Sequence, residues 1–180
     1  MAMTRYFSVS NLAELSSLEV HKLYKLRVDI FVHEQKTPYA EIDDTDALPT
    51  TRHILVWERH EDHPTELKGC ARLVPTTVSE VAAATGATLE LDDAEVSQLG
   101  RVAVSQDSRG TGLSAEIMEN ALRLAYEQFP GKDVVLTAQL PLQEFYEGFG
   151  FTTCGTQYDE AGVAHVPMVL KASELVRYAA

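Results

Sequence analysis

The stretch that decides the fold is "LGRVAVSQDSRGTGLSAEIMENAL", Leu99 to Leu122. A short apolar run rich in β-branched residues meets a glycine loop, and the loop opens into a helical pattern. Leu113, Ile117, Met118, Ala121, Leu124 and Ala125 place an apolar stripe along that helix. A strand feeding straight into a helix leaves orphan N–H donors at the helix start, where the helix dipole adds partial positive charge. Gly110 and Gly112 carry no side chains, so an anion can approach the backbone closely. Taken alone, the loop reads equally as a phosphate cradle or as a turn that needs glycine for its backbone angles. Two common cradles are excluded. There is no G-x-x-x-x-G-K-[ST] around Gly110 and Gly112. A G-x-G-x-x-G fingerprint fails because position 115 is Ala and the loop comes late in the chain, after a hairpin.

Upstream, "HILVWE" (His53 to Glu58) and "LKGCARLV" (Leu67 to Val74) read as two strands joined by the turn "RHEDHPTE". From Leu12 to about Glu34 the apolar spacing is helical. "HEQKTPYAEIDDTDALPTT" then breaks the period and reads as a loop. Pro75 to Asp93 is open between a short helix and an insertion. Downstream, the stripe ends near Phe129-Pro130-Gly131, and the consecutive apolar residues of "DVVLTAQ" read as a strand buried on both faces. "PLQEFYEGFGF" reads as a short helix ended by Gly148 or Gly150. "TTCGTQYDEAGVAHVPMVL" reads as a hairpin turning at Asp159-Glu160-Ala161-Gly162. This order predicts one mixed α/β domain over residues 1–180, with no internal repeat or linker.

The charge balance narrows the partners. Lys plus Arg is 15 and Asp plus Glu is 27, a net charge of −12 in 180 residues. Nucleic acid is excluded as a general partner, because phosphate contacts need clustered Lys and Arg. A cationic substrate is attracted, while a small anion can still be held locally by backbone N–H groups. Cys70 and Cys154 form no C-x-x-C pair, which suits a reducing compartment and gives no sign of structural zinc. "MAMTRYFSVSNLAEL" lacks the pattern of a secretory signal, and no apolar run approaches the length of a membrane span. The expected location is cytoplasmic, with no membrane partner.

"VAVSQDSRGTGLSAEIMENAL" resembles the coenzyme A motif of the Gcn5-related N-acetyltransferase (GNAT) superfamily, Arg/Gln-x-x-Gly-x-Gly/Ala. Arg109 and Gly112 fill its first slots. Position 114 is Ser instead of Gly or Ala, a small residue that still offers its N–H. "AQLPLQEFYEGFGF", Ala138 to Phe151, resembles the superfamily's strand-then-helix segment ending in "FYxxxGF". Together with "LYKLRVDIFVHEQKTPYAEIDDTD", "GRVAV" and "YDEAGVAHVPM", these blocks resemble the ElaA-like branch over about residues 23 to 168. The resemblance implies a mostly antiparallel sheet of about six to seven strands, flanked by helices and splayed between its fourth and fifth strands. It implies acetyl-CoA as acyl donor, with direct transfer to an amine. Val102, Ala103 and Val104 would pair with the pantetheine arm. The N–H groups of Arg109, Gly110, Thr111, Gly112, Leu113 and Ser114 would take the pyrophosphate. Gln139 stands where many members have an Asn that contacts coenzyme A. The front half is also similar to the acyl-homoserine-lactone synthases, through the L-x-x-x-R-x-x-x-F spacing of Leu23, Arg27 and Phe31. That likeness makes Arg27 a candidate substrate residue.

Acetyl transfer needs a polarised thioester carbonyl, a neutral amine and a protonated leaving thiolate. Tyr146 stands at the position of the superfamily's usual general acid. An ordinary Tyr, with a pKa of about 10, carries the proton to donate. Its other reading is aromatic packing with Phe145, Phe149 and Phe151. Glu95 and Glu34 are candidates for the base, and each is equally readable as a solvated side chain. His165 and His53 are candidate substrate residues or structural histidines. Glu41, Asp43, Asp44 and Asp46 read as a solvated loop, or as an attractive mouth for a cationic amine. His60-x-x-His63 lacks further ligands, so no metal is expected. The acceptor is then a small-molecule or peptide amine, with the homodimer left open as an oligomeric state. The alternatives are an acyltransferase of the homoserine-lactone-synthase kind and a non-catalytic acetyl-CoA-binding module.

Overall fold

Strand formation starts earlier in the chain than the sequence predicts. In the computed structural model, which describes residues 2–36 and 40–180, Met3–Ser10 is already a strand, β1. There follow α1 (Ser17–Arg27), β2 (Arg52–His60), β3 (Glu66–Thr77), α2 (Val78–Thr85) and β4 (Glu95–Val104). Next come α3 (Leu113–Gln128), β5 (Val134–Gln139), α4 (Gln143–Glu147), β6 (Thr152–Thr153), β7 (Tyr158–Glu160), β8 (Val163–Leu170) and α5 (Ala172–Leu175). Strands pair in the order β1-β2-β3-β4-β5-β8-β6, with β7 on β8. β4 and β5 are parallel, at Ser97↔Val134 and Gln98↔Val135. The described residues form eight strands, beside the about six to seven that the resemblance implies, counting the two-residue β6 and the three-residue β7.

The chain forms two compact units, Met1–Leu73 with Arg101–Met118, and Val74–Gly100 with Glu119–Ala180. In the first, β1, β2 and β3 pair antiparallel, with Tyr6 opposite Trp57 and Leu55 opposite Cys70. One sheet face buries Leu55, Trp57, Leu67, Cys70 and Ala103 against Leu23, Ile30 and Phe31. The predicted helix from Leu12 to Glu34 is divided: a 3-10 turn at Leu12–Glu14, then α1, then wider π turns over Val28–Glu34. Ser16 starts α1 with a reciprocal cap, accepting from Glu19 N–H at 3.2 Å while its own N–H donates to the Glu19 carboxylate at 2.9 Å. The opposite sheet face carries Gly69 against α3. A Cβ there would lie 2.7 Å from Ile117 Cδ1 and 3.2 Å from the Ala103 carbonyl oxygen, so a methyl group would displace the Ile117 side chain and press on the β4 backbone.

In the second unit, β5 lies between β4 and β8 and is buried on both faces, as its apolar run predicts. The segment from Pro75 to Asp93 resolves as the end of β3, then α2, then a loop. Thr77 caps α2 by accepting from Glu80 N–H, and Gly86 ends it in the left-handed conformation. Val78 and Val81 of α2 cover Val96, Val135 and Val169. The last hairpin turns at Ala161 and Gly162, both at positive φ, as a tight two-residue turn requires.

Candidate active site

The glycine loop closes on itself before the helix starts. Ser108 N–H donates to the Ser105 carbonyl at 2.9 Å, and the Thr111 hydroxyl donates to the Ser108 carbonyl at 2.5 Å. Gly110 (φ +74) and Gly112 (φ +81) are both left-handed, so glycine is needed for the turn itself. Nothing lies within 4 Å of where a Cβ would stand at either position. The backbone is therefore uncovered as well as turned. The first intrahelical bond of α3 runs from Glu116 N–H to the Gly112 carbonyl at 3.2 Å. The N–H groups before it, including that of Ser114, belong to the first turn and have no acceptor within the helix.

The loop is anchored at its strand side. Ser105 N–H donates to the Lys68 carbonyl at 2.8 Å, and Lys68 Nζ donates to the Asp107 carboxylate at 2.8 Å. Burial alone would lower the Lys68 pKa, but its bonds to Asp107 and Glu66 outweigh that and raise it. The Lys68 bond holds Asp107 below the usual carboxylate range. Arg109 points its guanidinium at Glu34 in a two-pronged contact, at 2.5 and 2.8 Å. That contact holds Glu34 below the usual carboxylate range and raises Arg109. The side chains are 42% and 39% exposed, so the loop cation sits at the surface, paired with a carboxylate.

Arg27 and His53 are both buried among polar partners. Arg27 is 1% exposed and gives its donors to Glu41 Oε1 (2.9 Å), Asp46 Oδ1 (2.6 Å) and the Glu41 carbonyl (2.8 Å). His53 Nε2 meets the Asp46 carbonyl at 2.9 Å, and burial lowers its pKa. Both side chains direct their polar groups inside the fold. The reading of the acidic run as a solvated loop is corrected. Glu41 and Asp46 are buried, Asp43 is half-buried, and all three turn inward onto Arg27, Arg72 and Arg101. Burial would raise the Asp46 carboxyl, but the bonds and charge of Arg27, with Arg72, outweigh it and hold the group low. Sequence reasoning missed Lys68, Arg72, Arg101 and Asp107. No local spacing joins β3 to the loops that supply its partners.

In the second unit, Tyr146 is half-buried on α4, edge-on to Phe145 and Phe151 with ring centres 5.2 and 6.2 Å away. Burial pushes its phenol up to about 12, so the group keeps its proton across ordinary pH. Gln139 closes β5, opposite His165 of β8, which in turn faces Tyr158 of β7. His165 Nδ1 lies 2.8 Å from the Val163 carbonyl, and its Nε2 is 3.8 Å from Glu160. Glu95 opens β4, exposed, and pairs with Lys132 at 3.0 Å. Among the described residues, no group of three His, Cys, Asp or Glu could hold a metal ion, and no helix is long and apolar enough to cross a membrane.

Comparison with known proteins adds the family. Residues 73–172 match the family model described as the acetyltransferase (GNAT) domain. ElaA of Escherichia coli K12 is 35% identical over 156 residues, covering 87% of this chain and 90% of that protein. The crystal structure of E. coli ElaA superposes with a TM-score of 0.75, covering 93% of this chain and all of that one at 32% identity. An acyl-CoA N-acyltransferase from Pseudomonas aeruginosa superposes with a TM-score of 0.76, over 92% of this chain and 99% of that one, at 30% identity.

Proposed function

The chain belongs to the acetyltransferase (GNAT) family and is an N-acyltransferase; from that premise we propose that it moves an acetyl group from acetyl-CoA directly to a primary amine of a small molecule or peptide, in the cytoplasm. The observation that carries this reading is the loop from Ser105 to Gly112. Its two left-handed glycines leave the backbone uncovered at the start of a sixteen-residue helix. Peptide N–H groups from Arg109 to Ser114 would hold the pyrophosphate, with Arg109 turning from Glu34 to the ligand. The peptide groups of Val102 to Val104 would pair with the pantetheine arm and polarise the thioester carbonyl. Gln139 would contact coenzyme A from β5.

The neutral amine attacks the carbonyl carbon, a C–N bond forms, and the C–S bond breaks as the tetrahedral intermediate collapses. Tyr146 would give its proton to the departing thiolate. A phenol held at about 12 by burial is protonated at every working pH and gains a proton back from solvent after each turnover. The amine's proton must also leave. Arg109 makes Glu34 the weaker acceptor, and its proposed part is to hold that arginine until the donor's phosphates displace it. Glu95 opens β4 seven residues before Val102, about 23 Å at the rise of a strand, so the amine's proton would leave to bulk water, with Glu95 only a distant acceptor. His165, beside Tyr158 and Glu160, is the proposed contact for the acceptor.

The test is thiol release from acyl-CoA donors of increasing chain length against a panel of primary amines, with products identified by mass. The account expects an N-acetylated product, acetyl-CoA as the best donor and no acetylated protein. Binding of acetyl-CoA without turnover across the panel would replace it with a non-catalytic module. Preference for a long acyl chain and a lactone product would replace it with a synthase of the homoserine-lactone kind.

A further inference from the structure

Three described non-glycine residues have positive φ: Lys36 at 55°, Ala161 at 51° and Arg101 at 53°. Lys36 follows a helical segment and Ala161 makes a hairpin turn. Arg101 stands inside a strand, where the left-handed conformation is unfavourable for a residue with a Cβ and persists only when its surroundings impose it. The surroundings are specific. Arg101 Nε lies 3.0 Å from Glu41 Oε1. Its Nη2 donates to the Glu41 carbonyl at 3.2 Å and to Asp43 Oδ2 at 3.4 Å. The Cys70 thiol donates to the Arg101 carbonyl at 3.4 Å. Glu41 and Asp43 are themselves fixed by Arg27 and Arg72. Three arginines and three carboxylates thus balance in one cluster, and its outer member is the one residue of the strand with left-handed backbone.

The residues immediately after it are Val102, Ala103 and Val104. Their far end is held by the Ser105 N–H on the Lys68 carbonyl at 2.8 Å. The upstream end of this part of β4 is held by an ion cluster built by side chains remote in sequence. We propose that Arg101 is a positioning residue: Glu41 and Asp43 hold its backbone left-handed, and that turn aims the peptide groups of Val102 to Val104 at the acyl-CoA arm. The assignment rests on the acyl-CoA reading of those three residues given above.

Backbone conformation and side-chain charge are separated by choosing what replaces Arg101. Glycine adopts positive φ freely and asparagine tolerates it, whereas alanine disfavours it. Neither glycine nor alanine can enter the ion cluster. Initial rates with acetyl-CoA and the best amine of the panel are measured for Arg101→Ala, Arg101→Gly and Arg101→Asn, below the unfolding temperature of each. Arg101→Ala should lose about tenfold or more in kcat/KM for acetyl-CoA, with KM for the amine unchanged. Arg101→Gly and Arg101→Asn should each recover at least threefold of that loss. Equal losses for alanine and glycine would overturn the proposal, as would an alanine variant with wild-type constants. If alanine yields no folded protein, glycine and asparagine variants retaining at least about a third of wild-type kcat/KM support the proposal, and larger losses overturn it. A wild-type protein that neither binds nor turns over acetyl-CoA removes the underlying reading, and the proposal with it.

Discussion

At the scale of single residues, Arg109 and Tyr146 make opposite demands on an experiment. Arg109 is exposed, and its partner Glu34 is a carboxylate that a phosphate would have to displace. Arg109→Gln should raise KM for acetyl-CoA about tenfold, the cost of one charge-assisted hydrogen bond, with kcat little changed. Glu34→Gln should lower that KM, because it frees the guanidinium. A rise in KM on Glu34→Gln would mean that the carboxylate presents Arg109 to the ligand instead of competing with it. Tyr146 acts after binding, so Tyr146→Phe should reduce kcat at least about a hundredfold while leaving KM for acetyl-CoA nearly unchanged. Its phenol, raised to about 12 by burial, also fixes the shape of the pH profile. The rate should climb as the amine loses its proton and show no fall from Tyr146 before about pH 11. Unchanged turnover in the phenylalanine variant would return Tyr146 to aromatic packing with Phe145 and Phe151.

At the scale of elements, packing and charge are tested separately. Gly69→Ala places a methyl group 2.7 Å from Ile117 Cδ1 and 3.2 Å from the Ala103 carbonyl, so the Ile117 side chain must swing away and the β4 backbone must give. Overpacking of this kind should cost about 1–3 kcal/mol in urea unfolding. The ion cluster gives a pH signature. His53 has a lowered pKa in the folded state, so below about 6.5 the unfolded chain takes up a proton that the folded chain refuses. Stability should therefore decline as pH falls from about 6.5 toward the folded value, and His53→Gln should flatten that part of the curve. Asp46 is also lowered, so its contribution is complete above about 4 and is lost as pH falls further, through its folded value. Urea midpoints across this range check both signs.

The same elements explain what the sequence could disclose. The strand, glycine loop and helix from Leu99 to Leu122 were legible because each step leaves a local mark: β-branched residues, two glycines, then an apolar stripe. The strand from Val134 and the final hairpin were legible for the same reason. The acidic run from Glu41 to Asp46 was misread as solvated because its partners, Arg27, Arg72 and Arg101, are scattered along the chain. β1 was missed because its residues are partly exposed, with no buried stripe to alternate with. The left-handed backbone of Arg101 left no trace at all, since an arginine in a strand pattern looks ordinary.

At the scale of the whole molecule, a net charge of −12 opposes an acyl-CoA donor and favours a cationic acceptor. Raising salt from low values to about 0.15 M should lower KM for acetyl-CoA and raise KM for a cationic amine. Parallel shifts in the two constants would mean that local charges govern both. The central claim is more local than the net charge: the backbone from Val102 to Ser114 holds the donor. The most direct measurement follows the backbone amide signals of the nitrogen-labelled protein by nuclear magnetic resonance during titration with acetyl-CoA. The account predicts that the amides of Val102 to Val104 and Arg109 to Ser114 shift most and saturate together. Saturable binding that leaves those amides unmoved, or no binding at all, would contradict it.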